Sequence, residues 1–112
     1  VEGEKLAKQY AELEKADQVD FYNGLEGYYS VLGHNKKQEA IAVLIEKNDH
    51  KIYVYQLDKG ISQDKAVTIS REKGASDIDK ITFGRYQDKP IWEVKSGNQY
   101  YLVDFETGAV IQ

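Results

Sequence analysis

Between residues 2 and 17, Leu6, Tyr10 and Leu13 recur at helical spacing, with Ala7, Ala11 and Ala16 beside them and Glu and Lys on the other side. This predicts an amphipathic helix over residues 2–17. The rhythm then shortens to two residues. Segments 19–22, 28–32, 40–45 and 52–57 are rich in β-branched and aromatic residues, and they read as four strands. Residues 24–27, 33–37 and Asn48-Asp49 supply the Gly, Asn and Asp that tight reversals favour, so the strands are expected to form an antiparallel meander. Residues 40–45 are apolar at every position, the pattern of a strand covered on both faces, which predicts the most buried segment of the chain.

After Gly60 the order repeats. Ser62 is placed to cap a helix over residues 63–73, with Ala66 and Ile69 facing inward and Gly74 at the left-handed C-terminal position. Strands are expected at 78–83, 90–94 and 100–105, with a short last one at 109–112. The turns between them fall at Gln87-Asp88, Ser96-Gly97-Asn98 and Glu106-Thr107-Gly108. Laid over each other, the two halves match Tyr28–Gly33 with the run from Ile91 to Gly97, each one turn beyond a strand holding Phe21 or Phe83. The expectation is a duplicated unit, 1–60 and 61–112, in an α+β chain. A unit of some 50 to 60 residues buries only about 60 % of its surface, so the two are expected to pack on each other.

Composition narrows the functional classes. Lys and Arg number 15 against 19 Asp and Glu, and both halves are nearly balanced, so no basic stripe exists for a nucleic-acid backbone. The absence of Cys removes disulfides, thiol catalysis and thiolate metal sites. No run approaches the roughly 20 apolar residues that span a bilayer. The chain opens at Val1 on a charged segment, which creates the expectation of a preceding N-terminal piece.

The second half carries a recognisable motif set. Ile81-Thr82-Phe83, Ile91-Trp92-Glu93-Val94 and the run Tyr100-Tyr101-Leu102-Val103-Asp104-Phe105-Glu106-Thr107-Gly108 resemble a PepSY domain, marked by a W-E-V strand and a following D-x-x-T-G. With the Gly60-Ile61-Ser62 helix start, the whole chain resembles the YpmB-like proteins of Gram-positive bacteria. Asp104 and Thr107 are suited to bond backbone groups within the reversal and Gly108 to supply its positive φ, so the motif is one of folding. The resemblance implies two tandem PepSY-like (cystatin-like) units, each one helix on an antiparallel sheet of about four strands. It also implies an extracytoplasmic position held by an N-terminal membrane anchor, a role in restraining peptidases, and no catalytic residues to carry over.

Candidate chemistry is sparse. His34 and His50 fall in expected turns without a signalled nucleophile or carboxylate partner. Ser62 with Asp64 is explained by helix capping. Asp77 with Asp79 and Asp104 with Glu106 lack the ligand spacing of a calcium loop. Gly84, Gly97 and Gly108 do not precede helices as a phosphate loop requires. Nine Tyr and one Trp fill core rows or form a protein-binding patch: Tyr53 and Tyr55 share a face, Tyr100 and Tyr101 take opposite faces, and Trp92 points with Val94.

The sequence therefore predicts a non-enzymatic module with no catalytic, metal or cofactor site, and the resemblance implies a protein of the cell envelope as its partner. The rival readings are an envelope spacer and a small hydrolase using His34 or His50. Open strand edges would accept a partner's extended segment unless Lys51 and Lys89 blunt them.

Overall fold

The computed structural model describes residues 2–10 and 13–111. The chain runs α1 (Glu2–Tyr10), β1 (Leu13–Asn23), β2 (Gly27–Asn35), β3 (Ala40–Glu46), β4 (Ile52–Gln56), a short 3-10 turn (Leu57–Lys59), α2 (Gln63–Glu72), β5 (Lys80–Tyr86), β6 (Lys89–Ser96) and β7 (Gln99–Asp104). Two antiparallel sheets result, β1-β2-β3-β4 and β5-β6-β7.

The first helix is shorter than its apolar spacing predicts, and the cause is geometric. From Leu13 onward the chain is strand, with register irregularities between Leu13 and Lys15 and between Ala16 and Gln18. Each bulge inserts a residue that the partner strand does not match. Leu13, Ala16 and Val19 thus fall opposite Asn35, Gly33 and Val31, on one face despite their three-residue spacing. A doubly bulged strand therefore imitates helical periodicity. Gly33 belongs to this device, since a Cβ there would collide with the Lys15 carbonyl. It lies within β2, and the reversal expected at residues 33–37 comes later, with Gln38 at φ 66. The expected helical residues Ala11 and Glu12 lie outside the described residues.

β3 is buried from Ile41 to Glu46, as its unbroken apolar run predicts. Ile41, Val43 and Ile45 meet Ala7 of α1, Leu13 and Val31 in one cluster. Ala42 and Leu44 face the other way, into a larger cluster with Tyr22, Tyr28, Phe83, Trp92, Val94, Val103, Phe105 and Ala66 of α2. The major core therefore draws on both sheets and α2.

The second half of the chain follows its sequence signals closely. Ser62 Oγ accepts from the Lys65 N–H at 3.0 Å, and Gly74 past the helix end has φ 116. In the D-x-x-T-G turn, Asp104 Oδ1 accepts from the N–H groups of Glu106 (2.8 Å) and Thr107 (3.0 Å), Thr107 Oγ1 accepts from Ala109 N–H, and Gly108 has φ 80. The expected last strand is a correction: residues 109–111 form one bridge, Val103 with Val110, beside a three-stranded sheet. The tight turn returns the chain along β7 only as far as the hydrogen bonds from Asp104 N–H to Ala109 C=O and from Ile111 N–H to Leu102 C=O. Gln112 is outside the described residues.

Side chains join the sheets across β1, β2 and β5. Ser30 Oγ donates to the Phe83 carbonyl at 2.7 Å, and Lys80 Nζ pairs with Asp20 Oδ1 at 3.1 Å. Tyr22 is the wedge: Cβ atoms built at Gly84 and Gly24 would stand 2.5 and 2.6 Å from its ring. Burial, then the nearby Glu93 charge, pushes the Tyr22 phenol up to about 12. Gly84→Ala is therefore expected to cost about 1–3 kcal/mol by overpacking. Thermal denaturation checks this, and adding Tyr22→Leu should recover part of the loss, giving non-additivity that a simple backbone effect would not.

Candidate functional site

The outer face of the second sheet is only partly covered by the tip of the β1–β2 hairpin, which leaves a groove of ≈ 680 Å³. The register places Thr82, Glu93 and Leu102 in one cross-strand row and Lys80, Lys95 and Tyr100 in another. Phe21 to Leu25 of β1 and its turn supply the rest of the lining, together with Tyr86. Phe21, Leu25 and Tyr100 are among the exposed large hydrophobics of the chain, Leu25 at 75 % and Tyr100 at 53 %.

The polar groups are mixed in sign. Lys80 is held by Asp20, whose other oxygen accepts from Gln18 Nε2 at 2.6 Å. Partial burial raises the Glu93 carboxyl above its ordinary range, against the lowering influence of Lys80. Lys80 and Lys95 stand directly opposed across β5 and β6, an arrangement that repels unless a negative group lies near. Asp20 supplies that for Lys80. The chemistry on offer is contact: apolar area beside two ammonium groups and a carboxylate.

The residues considered for catalysis do not gather at the groove. His34 is in β2 rather than a turn, and Nδ1 lies 2.8 Å from Asp17 Oδ2, a carboxylate partner that sequence reasoning missed. The β1 bulge brings them together. Both are substantially exposed, and Asp17 also pairs with Lys15. His50 sits in the β3–β4 turn at φ 58. Ser62 caps α2, and Asp79 Oδ2 accepts from the Gly97 N–H at 2.7 Å. Asp104 is occupied by its own turn.

Of the aromatic set, Tyr53, Tyr55, Tyr101 and Trp92 join the major core, and Trp92 Nε1 donates to the Ile61 carbonyl. Tyr100 alone of those singled out faces solvent in large part. Leu25, Lys80 and Lys95 carried no motif, and Glu93 entered only as the middle of the W-E-V strand. The one available signal was Leu25, a large apolar residue in a Gly-x-x-Gly turn where burial is not expected.

Three comparisons place the chain as a whole among known proteins. Residues 2–46 match the family described as "Cell wall elongation regulator TseB-like domain". Over 114 residues the chain is 36 % identical to the "Probable cell wall elongation regulator TseB" of Bacillus subtilis (strain 168), covering 95 % of this chain and 70 % of that protein. The solved "YpmB protein from Bacillus subtilis" superimposes with a TM-score of 0.84 at 32 % identity, over 99 % of this chain and 92 % of that one.

Proposed function

The chain belongs to the TseB-like family, and from that premise we propose that it is a non-catalytic regulatory module of the cell envelope, docking a partner protein in the groove between the β1–β2 tip and the second sheet. The observation that carries this reading is the gathering of exposed Leu25 and Tyr100 beside Lys95 and Glu93. Aromatic and apolar anchors ringed by charge are the usual make-up of a protein-binding patch. The name of the Bacillus subtilis relative supports a role outside the cytoplasm, in wall elongation.

The finer readings belong to the same proposal. The W-E-V strand and the Asp104 turn support treating residues 61–112 as a PepSY-like unit and 1–60 as its partner unit. That resemblance in turn supports a peptidase of the envelope as the partner class. An N-terminal membrane anchor accords with the same reading.

The test is site-specific photo-crosslinking in cells, with the reactive group at Leu25, at Tyr100 or at Lys37. The expected result is one envelope protein captured from the first two positions and not from the third, with Leu25→Asp weakening the purified pair roughly thirtyfold or more. Capture independent of position, or binding untouched by Leu25→Asp, would overturn the groove as the docking site.

A further inference from the structure

Each sheet has two edges, and three of the four are closed by identifiable devices. β1 carries two bulges, together with Lys15, Asp17 and Asp20 along its length. β5 has its Phe83 carbonyl taken by Ser30 and its Ile81 carbonyl by Gln18. β7 is met by residues 109–111. Bulges, charge and coverage are the ways in which natural sheets prevent edge-to-edge pairing.

β4 has none of them. Its five residues, Ile-Tyr-Val-Tyr-Gln, contain no charge, Pro or Gly. Among the described residues it pairs only with β3. Val54 at its centre is 48 % exposed. Lys89, expected to blunt an edge, begins the central strand β6 and protects nothing, while Lys51 precedes β4 and leans toward Asp49 at 3.8 Å.

We propose that β4 is a self-pairing edge, and that two copies of this chain join antiparallel about Val54 into one continuous eight-stranded sheet. The occupant is a second copy because the strand reads nearly the same in both directions. Centred on Val54, pairing sets Val54 against Val54, Tyr53 against Tyr55 and Ile52 against Gln56 of the other copy. Aromatic and β-branched pairs directly opposed are the stabilising units of such a ladder. Within the five paired residues the register sets no charge against another, since β4 contains none. A five-residue ladder buries less than a standard interface, so the dimer is a weak one. This surface is separate from the groove, and either can fail without the other.

Because the chain has no Cys, Val54→Cys introduces a unique thiol. Residues directly opposed across an antiparallel pair have Cα atoms about 4.5–5.5 Å apart, within disulfide range. Mild oxidation of the purified variant is expected to give a disulfide-linked dimer, and Lys37→Cys under the same conditions is not. In sedimentation, the unmodified chain is expected to shift from monomer toward dimer as concentration rises. Val54→Lys, which sets two ammonium groups face to face, should weaken that association roughly tenfold or more while circular dichroism stays unchanged. A chain that remains monomeric throughout the range, with Val54→Cys oxidising no faster than Lys37→Cys, overturns the proposal. So does self-association that survives Val54→Lys undiminished.

Discussion

Phe83→Ala is expected to remove about 3–5 kcal/mol of unfolding free energy, the range for deleting a fully buried aromatic ring from a core. Phe83 is 1 % exposed. Its ring centroid lies 4.9 Å from that of Trp92, 5.2 Å from Phe105 and 5.6 Å from Tyr55. Those neighbours come from β6, from the turn after β7 and from β4, so the cavity would open where the two sheets meet. Surrounding rings that also bond elsewhere, as Trp92 does to Ile61, cannot readily collapse into the space. The loss corresponds to a fall in melting temperature of roughly 10–20 °C for a chain of this size. Urea denaturation followed by both Trp92 fluorescence and far-ultraviolet dichroism would measure it. Phe21→Ala is the control: its ring is 40 % exposed and rests edge-on against Tyr29, so about 1–2 kcal/mol is expected. Equal losses at the two positions would mean that the core is not centred where Phe83 sits.

The contrast between Phe21 and Phe83 also shows how far the sequence could be read. The two occupy matching places when the halves are aligned, yet one is surface and the other is the centre of the core. Alternation tells which residues share a face; it does not tell which face will be covered. Where covering was unambiguous, as in the unbroken apolar run of β3, the pattern sufficed. Local chemistry was equally legible: Ser62 caps α2, and Asp104 and Thr107 organise their turn, because those interactions span three residues or fewer. The first helix was over-extended because two bulges give Leu13, Ala16 and Val19 a helical spacing within a strand. The pattern also predicts a fourth strand in the second sheet that does not form, since an apolar tail after a hairpin turn looks the same whether it makes a ladder or one bridge.

The groove was not legible at all, and for a different reason. Its lining joins a turn near residue 24 to strands near residues 80, 95 and 100, and no spacing rule connects segments so far apart. What brings them together is the Tyr22 ring seated against Gly84, a contact that neither residue advertises. His34 and Asp17 became neighbours in the same way, through a bulge rather than a motif.

The second half expressed alone, residues 61–112, is expected to lack a cooperative unfolding transition, although it contains α2 and a complete three-stranded sheet. Tyr22, Tyr28, Ala42 and Leu44 supply the first-sheet side of the major core, and their removal would expose Phe83 directly to water. The Phe83 carbonyl would lose Ser30, and Arg85 would lose both the Tyr53 ring, 3.9 Å away, and the Tyr55 hydroxyl. The face around Gly84 would lose Tyr22 as well, so α2 would be the one remaining cover of the three-stranded sheet. A chain of about 50 residues buries only some 60 % of its unfolded surface even when its core is intact, which leaves no reserve for such losses. The full chain should unfold in one transition by fluorescence and dichroism together. The fragment should give a dichroism spectrum poor in secondary structure at 25 °C and a signal that drifts with urea without a midpoint. A fragment that unfolds as sharply as the full chain, at a similar urea concentration, would mean that the second unit carries its own core and that the shared cluster is a contact between two independent bodies.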